Sequence, residues 1–184
     1  GIGRTFKESL MKAILSLEKS KEGIPEVAFV EENLTYPNSE RLSYLFQAFR
    51  IGKSVEEVYE KTQITPWFLD QIEDIIKLEQ KIKTEELTPE LLYRAKKYGF
   101  ADVRLAKLKN LTVEQIQNLR WQNDIRPRFF QVDTCAGEFA SETPYLYSTY
   151  WSPPVQKIQE DNIVAVLGSG PNRIGQGIEF DYSC

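Results

Sequence analysis

Sliding this sequence by 47 positions lays one helical pattern over another, and that self-match restricts the fold more than any single motif. Leu45 falls on Leu92, Ala48 on Ala95, Gly52 on Gly99 and Thr65 on Thr112. Val58 meets Leu105, Ile64 meets Leu111, Leu69 meets Ile116 and Ile72 meets Leu119. Apolar, glycine and capping positions that agree at one offset mark an internal duplication. Each copy reads as three helices. In the first, Leu42, Leu45, Phe46 and Phe49 make one apolar face, ended by Gly52 as a left-handed cap. Ser54 with Glu57 is a capping box opening a short helix with Val55, Val58 and Tyr59. Thr65 before Pro66 starts the third, which carries Phe68, Ile72, Ile75, Ile76 and Glu79. In the second copy, Thr88-Pro89 opens a helix with Leu91, Leu92 and Ala95 that stops at Gly99. Val103, Leu105, Ala106 and Leu108 form the next, and Thr112 with Gln115 caps the last, bearing Val113, Ile116 and Leu119. Two copies are too few for a solenoid. The expectation is a mainly α fold of two packed helical units.

The flanks read differently. Thr5 and Glu8 form a capping box for a first helix whose face is Phe6, Leu10, Ala13, Ile14 and Leu17. Ser20 to Asn38, with Gly23, Pro25 and Pro37, reads as a loop holding a short extended piece around Val27–Val30. From Arg126 to Trp151 the aromatic residues Phe129, Phe130, Phe139, Tyr145, Tyr147 and Tyr150 predict extended chain laid over a surface. Ser152-Pro153-Pro154 is a linker signal. The apolar run Ile163–Leu167 then suits a strand of a parallel sheet buried on both faces, and it leads into a glycine-rich loop, Gly168 to Gly177. One strand and one loop cannot build a parallel sheet, so the chain reads as a segment of a longer polypeptide.

Composition removes much chemistry. There is no histidine, which excludes Ser-His and Cys-His nucleophile pairs and histidine metal ligands. Two cysteines, Cys135 and Cys184, make neither a zinc site nor a disulfide framework. A net charge of -4 argues against a general nucleic-acid binder. No apolar run reaches the roughly 18–20 residues of a membrane span, and a cytoplasmic location is the default expectation.

Several patterns carry a sharper reading beside a plainer one. The glycine loop would let backbone amides approach a phosphate, but Arg173 stands where a dinucleotide fingerprint needs its third glycine, and no Gly-Lys-Ser/Thr follows. A tight strand-to-helix turn explains it as well. Ala106, Asn110, Ile116 and Leu119 have helix-turn-helix spacing, with Arg94, Lys96, Lys97, Arg104, Lys107 and Lys109 nearby and Gln115, Gln117 and Asn118 on the presumed reading helix. A free-standing nucleic-acid-binding or scaffold protein is therefore the alternative. Glu114 and the acidic first copy favour a packing unit instead. The adjacent pairs Glu31-Glu32, Glu56-Glu57 and Glu85-Glu86 read as solvated faces. Asp133 and Glu138 flank Cys135, and are expected to form buried hydrogen bonds to extended backbone rather than an acid/base site.

Three runs carry a resemblance: Val132 to Phe139 (VDTCAGEF), Tyr145 to Tyr150 (YLYSTY) and Gly170 to Tyr182 (GPNRIGQGIEFDY). With Ile2 to Leu10, Pro66 to Leu69 and Gly99 to Arg120, they resemble the large subunit of carbamoyl phosphate synthetase along nearly the whole chain. Gly137, Ser169 and Ser183 depart from that family's usual alanine, glycine and cysteine, and residues 20–38 have no clear counterpart. The resemblance implies two ATP-grasp halves joined by a helical oligomerisation domain. Residues 1–20 would end the carboxyphosphate-forming half, 21–150 would be the oligomerisation domain, and 151–184 would be the linker and start of the carbamoyl-phosphate-forming half. It implies MgATP (Mg or Mn), bicarbonate and ammonia for the parent enzyme, with the ammonia drawn from glutamine by an amidotransferase small subunit. It implies a homo-oligomer, and neither cofactor nor catalytic residue in this segment itself. It also implies that Gly175, Gly177 and Ile178 line an internal tunnel; any Cβ at Gly177 would narrow such a passage.

Overall fold

Among the described residues, eight helices come first in the chain and one antiparallel ribbon follows. The computed structural model describes residues 1–151 except 18, 21 and 144, together with Val164. The described residues up to Trp151 belong to one compact unit. The helices are α1 Phe6–Ser16, α2 Glu31–Thr35, α3 Arg41–Arg50, α4 Val55–Thr62, α5 Pro66–Thr84, α6 Pro89–Tyr98, α7 Asp102–Lys109 and α8 Val113–Gln122. The strands are β1 Arg128–Gln131 and β2 Leu146–Thr149, paired antiparallel with Phe130 opposite Tyr147.

The duplication is visible in the helix bounds. Moving α4 along by 47 positions gives the bounds of α7, and α5 and α8 begin at equivalent residues. The turns repeat too. Lys53 N–H donates to Ala48 O at 3.0 Å, and Phe100 N–H to Ala95 O at 3.1 Å. Gln63 and Asn110, equivalent positions that both cap helices, share a left-handed backbone. The matched pairs Ala48 and Ala95, Val58 and Leu105, and Leu69 and Ile116 are all buried.

The long helix α5 is the hub, packing against α1, α3, α4, α6 and α7. It buries Leu69, Ile72, Ile75, Ile76, Leu78 and Ile82, each contributing roughly 1.5–3 kcal/mol relative to exposure. Glu79 is buried among them. Phe68, placed on this face by its spacing, lies half-exposed and packs at a tilt against Phe6 and edge-on against Trp67 instead.

Other local expectations shift for physical reasons. Thr65 occupies the N-cap of α5 without a side-chain hydrogen bond, so Pro66 at N1 starts this helix unaided. In α1 the buried residues are Glu8, Met11 and Ile14, while Leu17 is exposed. Thr5 caps the Glu8 amide, but the Glu8 carboxylate accepts from Arg4 N–H at 2.8 Å rather than from Thr5, and its other oxygen holds Lys12. Residues 25–30 lie outside regular structure with Val30 extended, as the spacing predicts, but the predicted loop also contains α2. That short helix is fixed by distant groups: Leu34 is fully buried, and Arg41 donates to Leu34 O, Thr35 O and Thr62 O at 2.9, 3.2 and 3.1 Å. The aromatic segment is a ribbon with Phe130 stacked on Tyr147, their ring centroids 6.0 Å apart.

Candidate functional site

Five of the six basic residues of the presumed helix-turn-helix are tied into the fold, and much of the described polar chemistry gathers around two buried charge clusters. The first ties α3, α5 and α7 to the loop after α1. Glu79 accepts from Arg50 Nε at 2.7 Å and from Arg104 Nη2 at 2.8 Å, so one carboxylate sits between two guanidiniums. Arg104, only 1% exposed, also donates to Glu26 at 2.8 Å, and Lys107 reaches Glu22 at 2.8 Å. Burial pulls the Arg104 pKa down, but Glu79 and Glu26 outweigh it and leave the guanidinium above its ordinary value. The hydrogen bond from Arg104 holds Glu26 below the ordinary carboxylate value, against its own partial burial. A cleft of about 390 Å³ opens here between Glu26, Gln47, Arg50, Glu79, Lys83 and Arg104. Both arginines are engaged by carboxylates, and fixed ion pairs with no proton to move make this a structural centre.

The second cluster joins α6, α7 and α8 to the end of the ribbon. Lys96 donates to Asp102 Oδ1 at 2.8 Å and to Phe100 O at 2.7 Å. Arg120 holds the other Asp102 oxygen at 2.6 Å and donates to the Tyr150 hydroxyl at 3.0 Å. Beside it, Trp151 Nε1 donates to Lys97 O at 3.2 Å under the Lys97 ammonium, 3.8 Å from the ring centroid. Burial pushes the Tyr150 hydroxyl pKa up, and burial pushes Lys96 down against the pull of Asp102. Lys96 sits where the first copy has the buried Phe49, a position the fold treats as apolar.

That equivalence gives a test. Lys96→Met should change the unfolding free energy by less than about 1 kcal/mol, because Arg120 still neutralises Asp102 and a buried charge is removed. The sign with pH is also set. A depressed folded pKa means the unfolded chain binds more protons, so this lysine makes stability rise with pH between its folded value and its ordinary 10.5. The variant should lose that rise in urea titrations run from pH 8 to pH 10.

The presumed DNA-facing patch therefore does not form one face. Lys96 and Arg104 are buried, Lys107 pairs with Glu22, and Lys109 donates to Glu85 O at 2.6 Å. Gln115 is used in the α8 capping box. Glu31, Glu32, Glu56, Glu57, Glu85 and Glu86 are exposed, as read from their spacing. The Asp133–Glu138 segment is corrected: Asp133 is exposed, not buried, and accepts from Cys135 N–H at 2.8 Å in a local turn. Among the described residues no longer-range partner draws it inward. Among the described residues no group of three or more Cys, Asp or Glu side chains is placed to hold a metal ion, and no helix is long and apolar enough to cross a membrane. Gly175, Gly177 and Ile178 lie outside the described residues, as does the strand predicted at Ile163–Leu167 apart from Val164.

The sequence of the helical part matches a known family. Residues 1–124 match the family described as carbamoyl-phosphate synthetase large chain, oligomerisation domain. The chain belongs to the carbamoyl phosphate synthase large-chain family. Residues 160–184 match that enzyme's preATP-grasp domain. The carbamoyl phosphate synthase large chain of Pseudomonas aeruginosa is 47% identical over all of this chain and 18% of its own length. That of Thermotoga neapolitana is 45% identical over 99% of this chain and 17% of its own. That of Archaeoglobus fulgidus is 43% identical over all of this chain and 18% of its own. The chain thus spans under a fifth of these carbamoyl phosphate synthase relatives. The buried cluster around Arg104 escaped the sequence reading because a basic residue among other basic residues looks like surface. Glu79 on an apolar face was the signal that could have found it.

Proposed function

We propose that this chain is the central section of a carbamoyl phosphate synthase large chain, and that its own role is structural. The observation that carries the reading is order: an oligomerisation-domain match followed by a preATP-grasp match within one chain, related along its whole length to such enzymes. The parent would join bicarbonate and ammonia at the expense of ATP with Mg or Mn, in the cytoplasm, alongside a glutamine amidotransferase small subunit. The helical part would join two catalytic halves and carry surfaces for self-association. The family match beginning at residue 1, with α1 packed on α5 and α6, supports treating α1 as part of the helical body even where it continues the preceding half. Residues 151–184 would lead into the second half, with Gly175, Gly177 and Ile178 as tunnel wall.

The test compares lengths. This chain alone should hydrolyse no ATP above a blank, whereas the intact large chain with its small subunit should form carbamoyl phosphate from glutamine, bicarbonate and MgATP. ATP turnover by the pure chain, or no product from the intact one, would overturn the reading.

A further inference from the structure

Lys12 joins parts of the chain that are more than a hundred residues apart. Its ammonium donates to Ile2 O at 2.8 Å and to Ser148 O of β2 at 2.5 Å, and pairs with Glu8 Oε1 at 3.0 Å. An ammonium has three protons, and here three oxygens take them. It also stands 5.7 Å from the centre of the Tyr147 ring. The Glu8 carboxylate that anchors it is 2% exposed and accepts Arg4 N–H with its second oxygen.

The segment before α1 is laid back along that helix. A Cβ on Gly1 would press into Ser9 O and come within 2.8 Å of Ala13 N, and one on Gly3 would come within 2.9 Å of Glu8 Cγ. Only residues without side chains allow so close an approach. Arg4 then covers the Phe130 ring of β1 at 5.1 Å. The chain leading into the helical body and the ribbon leading out of it therefore lie side by side. The ribbon's far end is held separately, by Arg120 on Tyr150 and Lys97 on Trp151.

We infer that Lys12 is a positioning residue that staples the inbound segment to the outbound ribbon, fixing the separation of the two points where the helical body joins the rest of the large chain. The inference rests on the proposed function, since only a longer chain gives those points something to position. If the two halves act in sequence, a loosened junction lets ATP be hydrolysed without product, because misplaced reacting groups lose far more rate than binding.

The experiment uses the intact large chain with Lys12→Met and Lys12→Arg. Amide hydrogen exchange at residues 2–4 and 147–149 reads the staple, and ATP hydrolysed per carbamoyl phosphate formed reads its consequence. Lys12→Met should speed exchange at both places and raise the ATP ratio about threefold, within the range of coupling effects from residues off the ligand sites. Lys12→Arg, which keeps the charge and the donors, should restore both. Unchanged exchange, an unchanged ratio despite faster exchange, or equal damage in the arginine variant would overturn the inference. A wild-type large chain that makes no carbamoyl phosphate would strike the proposed function instead, and exchange alone would then decide the staple.

Discussion

Glu79→Gln should lower the unfolding free energy of the helical body by roughly 3–5 kcal/mol, the usual consequence of removing one partner from a buried ion pair. Glu79 is 3% exposed and its two oxygens meet Arg50 Nε and Nη2 and Arg104 Nε and Nη2. Glutamine keeps the shape but turns an N–H₂ group towards the guanidiniums and leaves Arg104 without its buried counter-charge. Glu26 and Glu22 still face Arg104, but from the solvent side, where screening weakens them. Urea unfolding followed by circular dichroism measures the loss, with an unchanged slope showing that the unfolded state is not altered. The combined variant Arg50→Met, Glu79→Leu, Arg104→Met should lie within about 1 kcal/mol of wild type, because the desolvation cost of all three charges disappears together. A loss below about 1 kcal/mol in Glu79→Gln would mean that solvent reaches the cluster and that the helices are held by apolar packing alone.

The contrast between these charges and the rest of the fold explains what the sequence could disclose. Caps, glycine stops and apolar spacing are local signals, and together they located α3 to α8, although of these only α4, α6 and α8 carry a side-chain N-cap bond. The offset of 47 compared those signals with each other, which is why equivalent turns agree down to their hydrogen bonds. The helix α2 has no such signal. Its N-cap is Val30, without a side-chain bond, and its last carbonyls are satisfied by Arg41 from the following helix. Burial of Lys96 and Arg104 is likewise a property of partners on other helices. A lysine at the position of Phe49 could have raised the question, but only Asp102 and Arg120 answer it. The tunnel positions rest on family resemblance alone, because nothing in a glycine-rich turn states what passes beside it.

Duplication also predicts where two identical residues must differ in consequence. Gly52 and Gly99 occupy equivalent turns, at φ +89° and +94°. An alanine forced into that left-handed region costs roughly 1–2 kcal/mol wherever it stands. A Cβ on Gly52 meets nothing within 4 Å, so Gly52→Ala should lose about that strain and no more. A Cβ on Gly99 would lie 2.7 Å from Met11 Cβ and 3.4 Å from Glu8 O, against the face of α1. Met11 is 1% exposed, and its Cβ is fixed to the helix backbone, so only a shift of α1 against α6 makes room. Overpacking of this kind adds roughly 1–3 kcal/mol, for a total near 2–5 kcal/mol in Gly99→Ala. Pairing Gly99→Ala with Met11→Gly separates the two parts, since a glycine in place of Met11 removes the clash but not the strain. The loss from Gly99→Ala in the wild-type background, less its loss in the Met11→Gly background, should then approach the overpacking share. Equal losses at positions 52 and 99 would show that α1 is free to move, and that the second copy is no more closely covered than the first.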